Sequence, residues 1–544
     1  MSAVLTPTPI QKSRKLTVTI IAVAILFLAG FVFVVTHWPF RRAAVLKDLE
    51  DESLSKVSIG AFHGTYFPRP GCVLEHVVFQ HNPKAGAPPL MTIDRMRVEG
   101  SLPGLFAGHV RRILVEGMHV LIPPLGTEHF EAPPRSAVVI DNLVADGAIL
   151  EVGLRQANQQ SLKFKFHELM LSRIGSAGPA SFKSRFSNPE PPGEIAATGN
   201  FGPWNQDQVG ETAVSGDYRF QNADLGAFGG ISGLLSSSGK FTGVLNRVEV
   251  EGDTDVPRFS VTMSSHQVHL ETRFHALVNG ENGDTLLKDV TANFGKTAVS
   301  ANGSIAGKPG QTGKAATLEL AAKEGRIQDL LLLFAQSPRA PMSGLVSFKA
   351  NISIPPEKRS FLKKVDLQGD FGIDAGTFTK SDTQQGVNSL SKGARGEDNH
   401  PEAEKHEAEK SGDEDEDPAT VLSDLKGHVL LRNGTARFSN LSFTVPGAEA
   451  RLEGTYNLIT EKIDLHGTLR TDSEVSKTTH GMRALMLKVL DPFFKKKRGD
   501  YVAPVKITGT YEHPEFGLDL SDRDDKKDHQ QNEHAAGLSD KSKH

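Results

Sequence analysis

A single cysteine, Cys72, in a chain of 544 residues excludes an intramolecular disulfide, and the chain holds no Cys/His cluster of metal-ligand spacing. Aromatic residues make up only 7% and apolar residues 38%, which is little for large two-layer cores. Neither sign of charge prevails, since 61 Lys and Arg stand against 65 Asp and Glu, so there is no global electrostatic case for nucleic acid as a partner. Catalytic motifs are missing as well. Gly239-Lys240 resembles the end of a phosphate loop, but Leu234 stands where that loop's first glycine belongs, and Phe241 where Ser or Thr must reach magnesium. Gly230-Ile231-Ser232-Gly233 lacks the final glycine of a nucleophile elbow. His400, His406, His529 and His534 fall in charged stretches without core formers, and the carboxylates from Asp413 to Asp417 lack the glycine and spacing of a calcium loop. No catalytic residue, metal or cofactor is therefore assigned, and a non-enzymatic role is expected.

The chain has one long apolar run. Leu16 to Val35 is twenty residues without a charge, enough to cross roughly 30 Å of hydrocarbon as a helix. Its apolar faces carry Leu16, Ile20, Ile21, Leu26, Phe27, Phe31 and Val35. No A-x-A-like cleavage site follows, and Phe31 occupies the place where a lipoprotein signal after Leu28-Ala29-Gly30 needs cysteine. An uncleaved anchor is expected, with Trp38 and Phe40 at the interface, against the alternative of a cleaved signal peptide. Lys12, Arg14 and Lys15 before the run balance Arg41, Arg42 and Lys47 after it, so charge alone leaves its orientation open.

What remains is mostly strand. Ala448, Ala450, Leu452, Gly454, Tyr456 and Leu458 alternate with Glu449, Arg451, Glu453, Thr455 and Asn457, a period of two that gives a strand one apolar and one wet face. Ile463, Leu465, Gly467 and Leu469 repeat this against Asp464, His466, Thr468 and Arg470, as do Val505, Ile507, Gly509 and Tyr511 against Lys506, Thr508, Thr510 and Glu512. Leu270 to Val278 and Val346 to Ile354 alternate in the same sense. Between such runs fall many of the 52 glycines and 30 prolines, the punctuation of an all-β chain. A glycine, one residue, then an aromatic or aliphatic residue recurs at Gly216/Tyr218, Gly239/Phe241, Gly303/Ile305, Gly344/Val346, Gly369/Phe371, Gly454/Tyr456 and Gly509/Tyr511 without a fixed period, which suggests successive hairpins. Strands at Val110 to Val115 and Met118 to Ile122 are expected to be separated by a glycine turn. Val138 to Leu143 and Ala148 to Val152 are expected to form a hairpin across Asp146-Gly147.

Helical spacing interrupts the strands in three places. Val45, Leu49 and Leu54 fit a short helix between Arg41 and about Val57. Ile327, Leu330, Leu331 and Phe334 fit another, stopped by Pro338. Met482, Leu485, Met486, Val489, Leu490, Phe493 and Phe494 give a third a broad apolar stripe, followed by Lys495 to Arg498; it packs on the sheet, caps its end or docks on an anionic membrane. The expected divisions are a tail (1–15), an anchor (16–36), a β-rich region (37–379), an acidic linker without core formers (380–420), a C-terminal β domain (421–520) and a charged tail (521–544).

The C-terminal block resembles the AsmA-like family of bacterial envelope proteins, within the wider group that includes TamB. The residues that carry the resemblance are Gly427-His428-Val429, Asn433-Gly434-Thr435-Ala436, Leu441 to Ala448, Gly454-Thr455-Tyr456, Leu485 to Phe494 with Asp491-Pro492-Phe493-Phe494, Pro504 to Gly509 and Pro514-Glu515-Phe516. It covers about residues 424 to 520; upstream it is weaker, including Tyr66-Phe67-Pro68, and the acidic linker departs from it. The resemblance implies an inner-membrane anchor with a periplasmic, mainly β body folded as an elongated, curved groove with an apolar interior and a few short amphipathic helices. It implies a part in moving phospholipid between membranes or in outer-membrane homeostasis, with an outer-membrane protein assembly factor acting through sheet edges as the alternative. Alternation alone fits a closed sandwich equally well. Candidate lining residues are Phe274, Phe348, Phe371, Phe438, Phe443, Leu452, Tyr456, Leu465, Ile507 and Tyr511.

Overall fold

The computed structural model describes residues 38–80, 88–122, 138–152, 161–379, 423–471 and 501–519, except 102, 105–107, 176–177, 204, 206–207, 262–263, 265, 281, 309–312, 335–337, 358, 446–447 and 511–512. The described residues are mainly β. They form two units, one of residues up to Arg185 with Asn200–Val209, the other of Phe186–Gly199 and the chain from Gly210. The expected anchor, the acidic linker, the helix around Met482 to Phe494 and Tyr511 lie outside the described residues. Among those described, no helix is long and apolar enough to cross a membrane.

The first unit opens with α1 (Arg42–Ser53), followed by β1 (Lys56–Thr65), β2 (Gly71–Gln80), β3 (Met91–Gly100), β4 (His109–Ile122), β5 (Val139–Asp146), β6 (Ala148–Val152) and β7 (Leu162–Ile174). Strands β1 to β4 are antiparallel neighbours. Cys72, Leu74 and Val77 of β2 are fully buried, and Val45, Leu46 and Leu49 of α1 pack against the cluster around them. Two bonds tie α1 to β1: Arg42 donates to the Ile59 carbonyl at 2.9 Å, and Glu50 accepts from the Val57 N–H at 3.1 Å.

Two expectations are corrected in this unit. Val110–Val115 and Met118–Ile122 are one strand, β4, which runs through Gly117. Asp146-Gly147 makes no hairpin, because β5 and β6 both run parallel to β4 and antiparallel to β7. They form a single strand with a step at Gly147. The cause lies across the sheet: Gly117 (φ +63°) and Gly147 (φ +66°) step at the same level, since Glu116 pairs with Asp146 and His119 with Ile149. A Cβ on Gly117 would collide with the Asp94 side chain of β3, so this position of β4, at positive φ, takes glycine.

β8 (Ala180–Pro189) and β9 (Pro192–Phe201) contribute residues to both units. The second unit continues with β10 (Ala213–Asp224), β11 (Ile231–Ser232), β12 (Leu234–Val244), β13 (Arg247–Val261), β14 (Val268–Val278), β15 (Thr285–Phe294), β16 (Thr297–Gly307) and β17 (Lys314–Arg326). After α2 (Ile327–Leu331) come β18 (Met342–Ile354), α3 (Phe361–Lys364), β19 (Asp366–Phe378), β20 (Ser423–Arg432), β21 (Thr435–Val445), β22 (Ala448–Asn457), β23 (Lys462–Thr471), β24 (Tyr501–Thr510) and β25 (Pro514–Leu518). β10 pairs with β12, and from β12 onward every strand pairs antiparallel with the next. The expected succession of hairpins is thus the topology of this unit. The helix expected to reach Phe334 ends at Leu331, and Phe334 is 40% exposed.

Candidate functional site: an apolar sheet face

Because side chains alternate along a strand, register decides which residues share a face. Across β10 and β12 to β24 of the second unit the register joins Tyr218, Gly239, Gly252, Phe274, Val290, Ala301, Leu320, Ala350, Gly369, Val429, Phe438, Gly454, Leu465 and Ile507 into one transverse row. No charged residue stands in it. The adjoining row on the same face carries Phe348, Phe371 and Gly427. All the described candidate lining residues fall on this one face, Tyr456 opposite Ile463 and Phe443 opposite Ala450.

The recurrent glycine next to an aromatic has a packing role that the sequence pattern did not disclose. Aromatic side chains lie over glycines of the neighbouring strand: a Cβ on Gly216 would sit 2.7 Å from the Phe241 ring, and one on Gly239 2.9 Å from the Tyr218 ring. A Cβ on Gly252 would meet both the Tyr218 hydroxyl at 2.5 Å and the Phe274 ring at 3.1 Å. Phe371 and Phe438 meet edge to face, their centroids 6.2 Å apart. Glycines thus let the rings lie low along the sheet.

Burial divides the face in two. Leu441, Phe443, Ala450 and Leu452 are buried in one cluster with Ile327 of α2 and Val346 of β18, and form an ordinary core. Phe443 and Leu452, at 9% and 4% exposure, are filled positions of that core. Around it Phe348, Phe371, Phe438, Leu465 and Ile507 pack against this core and remain partly exposed, and Tyr218, Phe274, Val290, Leu320 and Tyr456 are partly exposed as well. Among the described residues of this unit, every extensive approach between elements joins ladder partners or involves a short helix. A polar step crosses the face at Ser237, Thr254 and Thr272, where the two threonine hydroxyls bond each other and the Tyr218 and Ser237 hydroxyls lie 3.1 Å apart.

The opposite face is charged and pairs across strands. His275 Nε2 lies 2.7 Å from Glu249, and His428 Nδ1 2.8 Å from Asp370. His466 lies between Asp519 at 2.8 Å and Asp464 at 3.0 Å, whose hydrogen bonds hold its pKa above the ordinary value. Arg219, Arg273, Asp253, Asp255 and Glu271 line a polar hollow of about 700 Å³ on this side. Asp255, His269 and Glu271 converge there, His269 Nε2 lying 2.5 Å from Asp255, which raises the histidine's pKa. Asp464 with His466 and His269 with Glu271 are two residues apart on one strand, whereas His275 with Glu249, His428 with Asp370 and His269 with Asp255 join neighbouring strands.

The chain matches no protein-family model, no curated protein and no solved structure.

Proposed function

We propose that this protein is anchored in the inner membrane of a bacterial envelope by the run from Leu16 to Val35, and that its periplasmic β body carries phospholipid acyl chains along an apolar groove. The observation that carries the reading is the transverse row from Tyr218 to Ile507, which holds no charged residue and is partly exposed over most of its length. A partly exposed apolar row of this length offers a surface on which a guest's acyl chains can lie. Each CH₂ that moves from water onto such a face gains about 0.8 kcal/mol, so a two-chain lipid stays sheltered as it leaves its bilayer. The rings over glycines keep the floor smooth, and the charged opposite face keeps the body in water. Likeness to the AsmA-like group in the C-terminal block supports the same reading, including transfer between membranes and a part in outer-membrane homeostasis.

The test is extraction. Full-length protein solubilised in mild detergent and freed of excess lipid is expected to retain phospholipid detectable by mass spectrometry. Phe274→Asp and Leu320→Asp, which place carboxylates in the row away from the buried cluster, are expected to lose it while strand content by circular dichroism stays unchanged. Protein that carries no phospholipid, or as much with the carboxylates as without, speaks against the groove.

A further inference from the structure

The turn between β1 and β2, Tyr66-Phe67-Pro68-Arg69-Pro70, holds the two most exposed large hydrophobic residues described: Phe67 is 91% and Tyr66 69% exposed, whereas the others reach at most 52%. Scattered apolar residues on a surface need no explanation, but two adjacent rings on a turn stiffened by two prolines are a different feature. Its position gives it meaning. The Tyr66 ring packs on Trp38, centroids 5.1 Å apart, and Trp38 packs on Phe40 at 6.0 Å. The Phe40 ring lies against Gly100, whose N–H donates to the Pro70 carbonyl at 2.7 Å. Trp38 stands three residues after the end of the apolar run at Val35. The turn is therefore held against Trp38, three residues along the chain from that run. Beside it Arg69, Arg111 and Arg112 line a hollow of about 280 Å³ together with Glu99, which pairs with Arg69 at 2.9 Å.

We propose that the Tyr66–Pro70 turn is a second membrane contact, lying in the headgroup region of the same phospholipid bilayer that takes the Leu16–Val35 run, with Arg69, Arg111 and Arg112 toward the lipid phosphates. Aromatic rings beside arginines are the composition that favours this depth, where one end of the ring is apolar and the other wet. With a single helix a body swivels freely; a second contact fixes which side of the first unit meets the bilayer. The proposal rests on the anchor in the proposed function and goes beyond it.

Depth-dependent fluorescence on the full chain, reconstituted in vesicles of phosphatidylethanolamine and phosphatidylglycerol, tests it. Cys72 can stay, because it is fully buried and burial pushes its thiol pKa up to about 12. An environment-sensitive label is attached at Ala24→Cys, Phe67→Cys or Ser58→Cys, the last exposed on β1 and about 23 Å along the strand from Thr65. Nitroxide-bearing lipid is expected to quench the labels at 24 and 67 and to leave 58 unaffected. Because the label is itself apolar, a second chain carries it at Arg69→Cys with Phe67 intact, where quenching is expected, and again with Phe67→Asp, where it is expected to be lost. Arg111→Gln with Arg112→Gln is expected to weaken quenching at 67; no change removes the arginines from the contact. Quenching at 24 with none at 67 and 69 overturns the second contact and leaves the anchor standing. No quenching at 24 overturns both.

Discussion

Gly252 lies under two rings at once, which makes it the most informative single residue of the apolar face. Beyond the ring contacts, a Cβ there would approach the Ser238 carbonyl at 2.8 Å, and backbone of a paired strand has little room to move. Gly252→Val is expected to cost about 1–3 kcal/mol of stability, as overpacked positions do, measured by chemical denaturation. A neutral result would mean that the rings do not lie on the glycine. On the wet side, His466 tests the charge pairs. Its folded pKa is raised above the ordinary 6.5 by hydrogen bonds to Asp519 and then Asp464. The stabilisation from these bonds is therefore fully present below about pH 6.5 and is lost as pH rises through the raised value. Proton NMR of the His466 ring is expected to give a midpoint above 6.5, moving down on Asp519→Asn; a midpoint at or below 6.5 would contradict the geometry.

Among the elements, strands reveal themselves through alternation: β22, β23 and β24 form where it was read, and burial alternates as expected from Ala448 to Glu453. Steps within strands do not. Asp146-Gly147 has the composition of a tight turn, but β4 offers a parallel partner on both sides of it, and that partner lies elsewhere in the chain. The face on which Phe274, Leu465 and Ile507 stand was legible for the same reason as the strands. Which parts of that face are buried was not, because Leu452 is buried by a cluster that gathers residues of other strands and Ile327 of α2, which is not a local property. The pairs of His275 with Glu249, His428 with Asp370 and His269 with Asp255 were hidden because their members sit on neighbouring strands. A comparison of two truncations separates covered from uncovered ground. Leu452→Ala is expected to cost about 2–5 kcal/mol, as for a filled core site, whereas Phe274→Ala is expected to cost less than the about 3–5 kcal/mol of a fully buried phenylalanine. Equal, large losses in calorimetry would show Phe274 to be core.

For the molecule as a whole, the proposal joins three sequence-level facts: one long apolar run, balanced charge, and apolar content too low for thick double-layered cores. A chain with these properties forms strands with one greasy side, and in the second unit that side is only partly used for its own packing. Lipid occupancy of the remainder is the central claim, and photocrosslinking in living cells tests it most directly. Photoreactive residues at Phe274, Leu465 and Ile507 are expected to capture phospholipid, and those at Glu453 and Lys506, one position away on the opposite face of β22 and β24, are expected to capture none. Equal capture on both faces, or none at the three apolar positions, would contradict it.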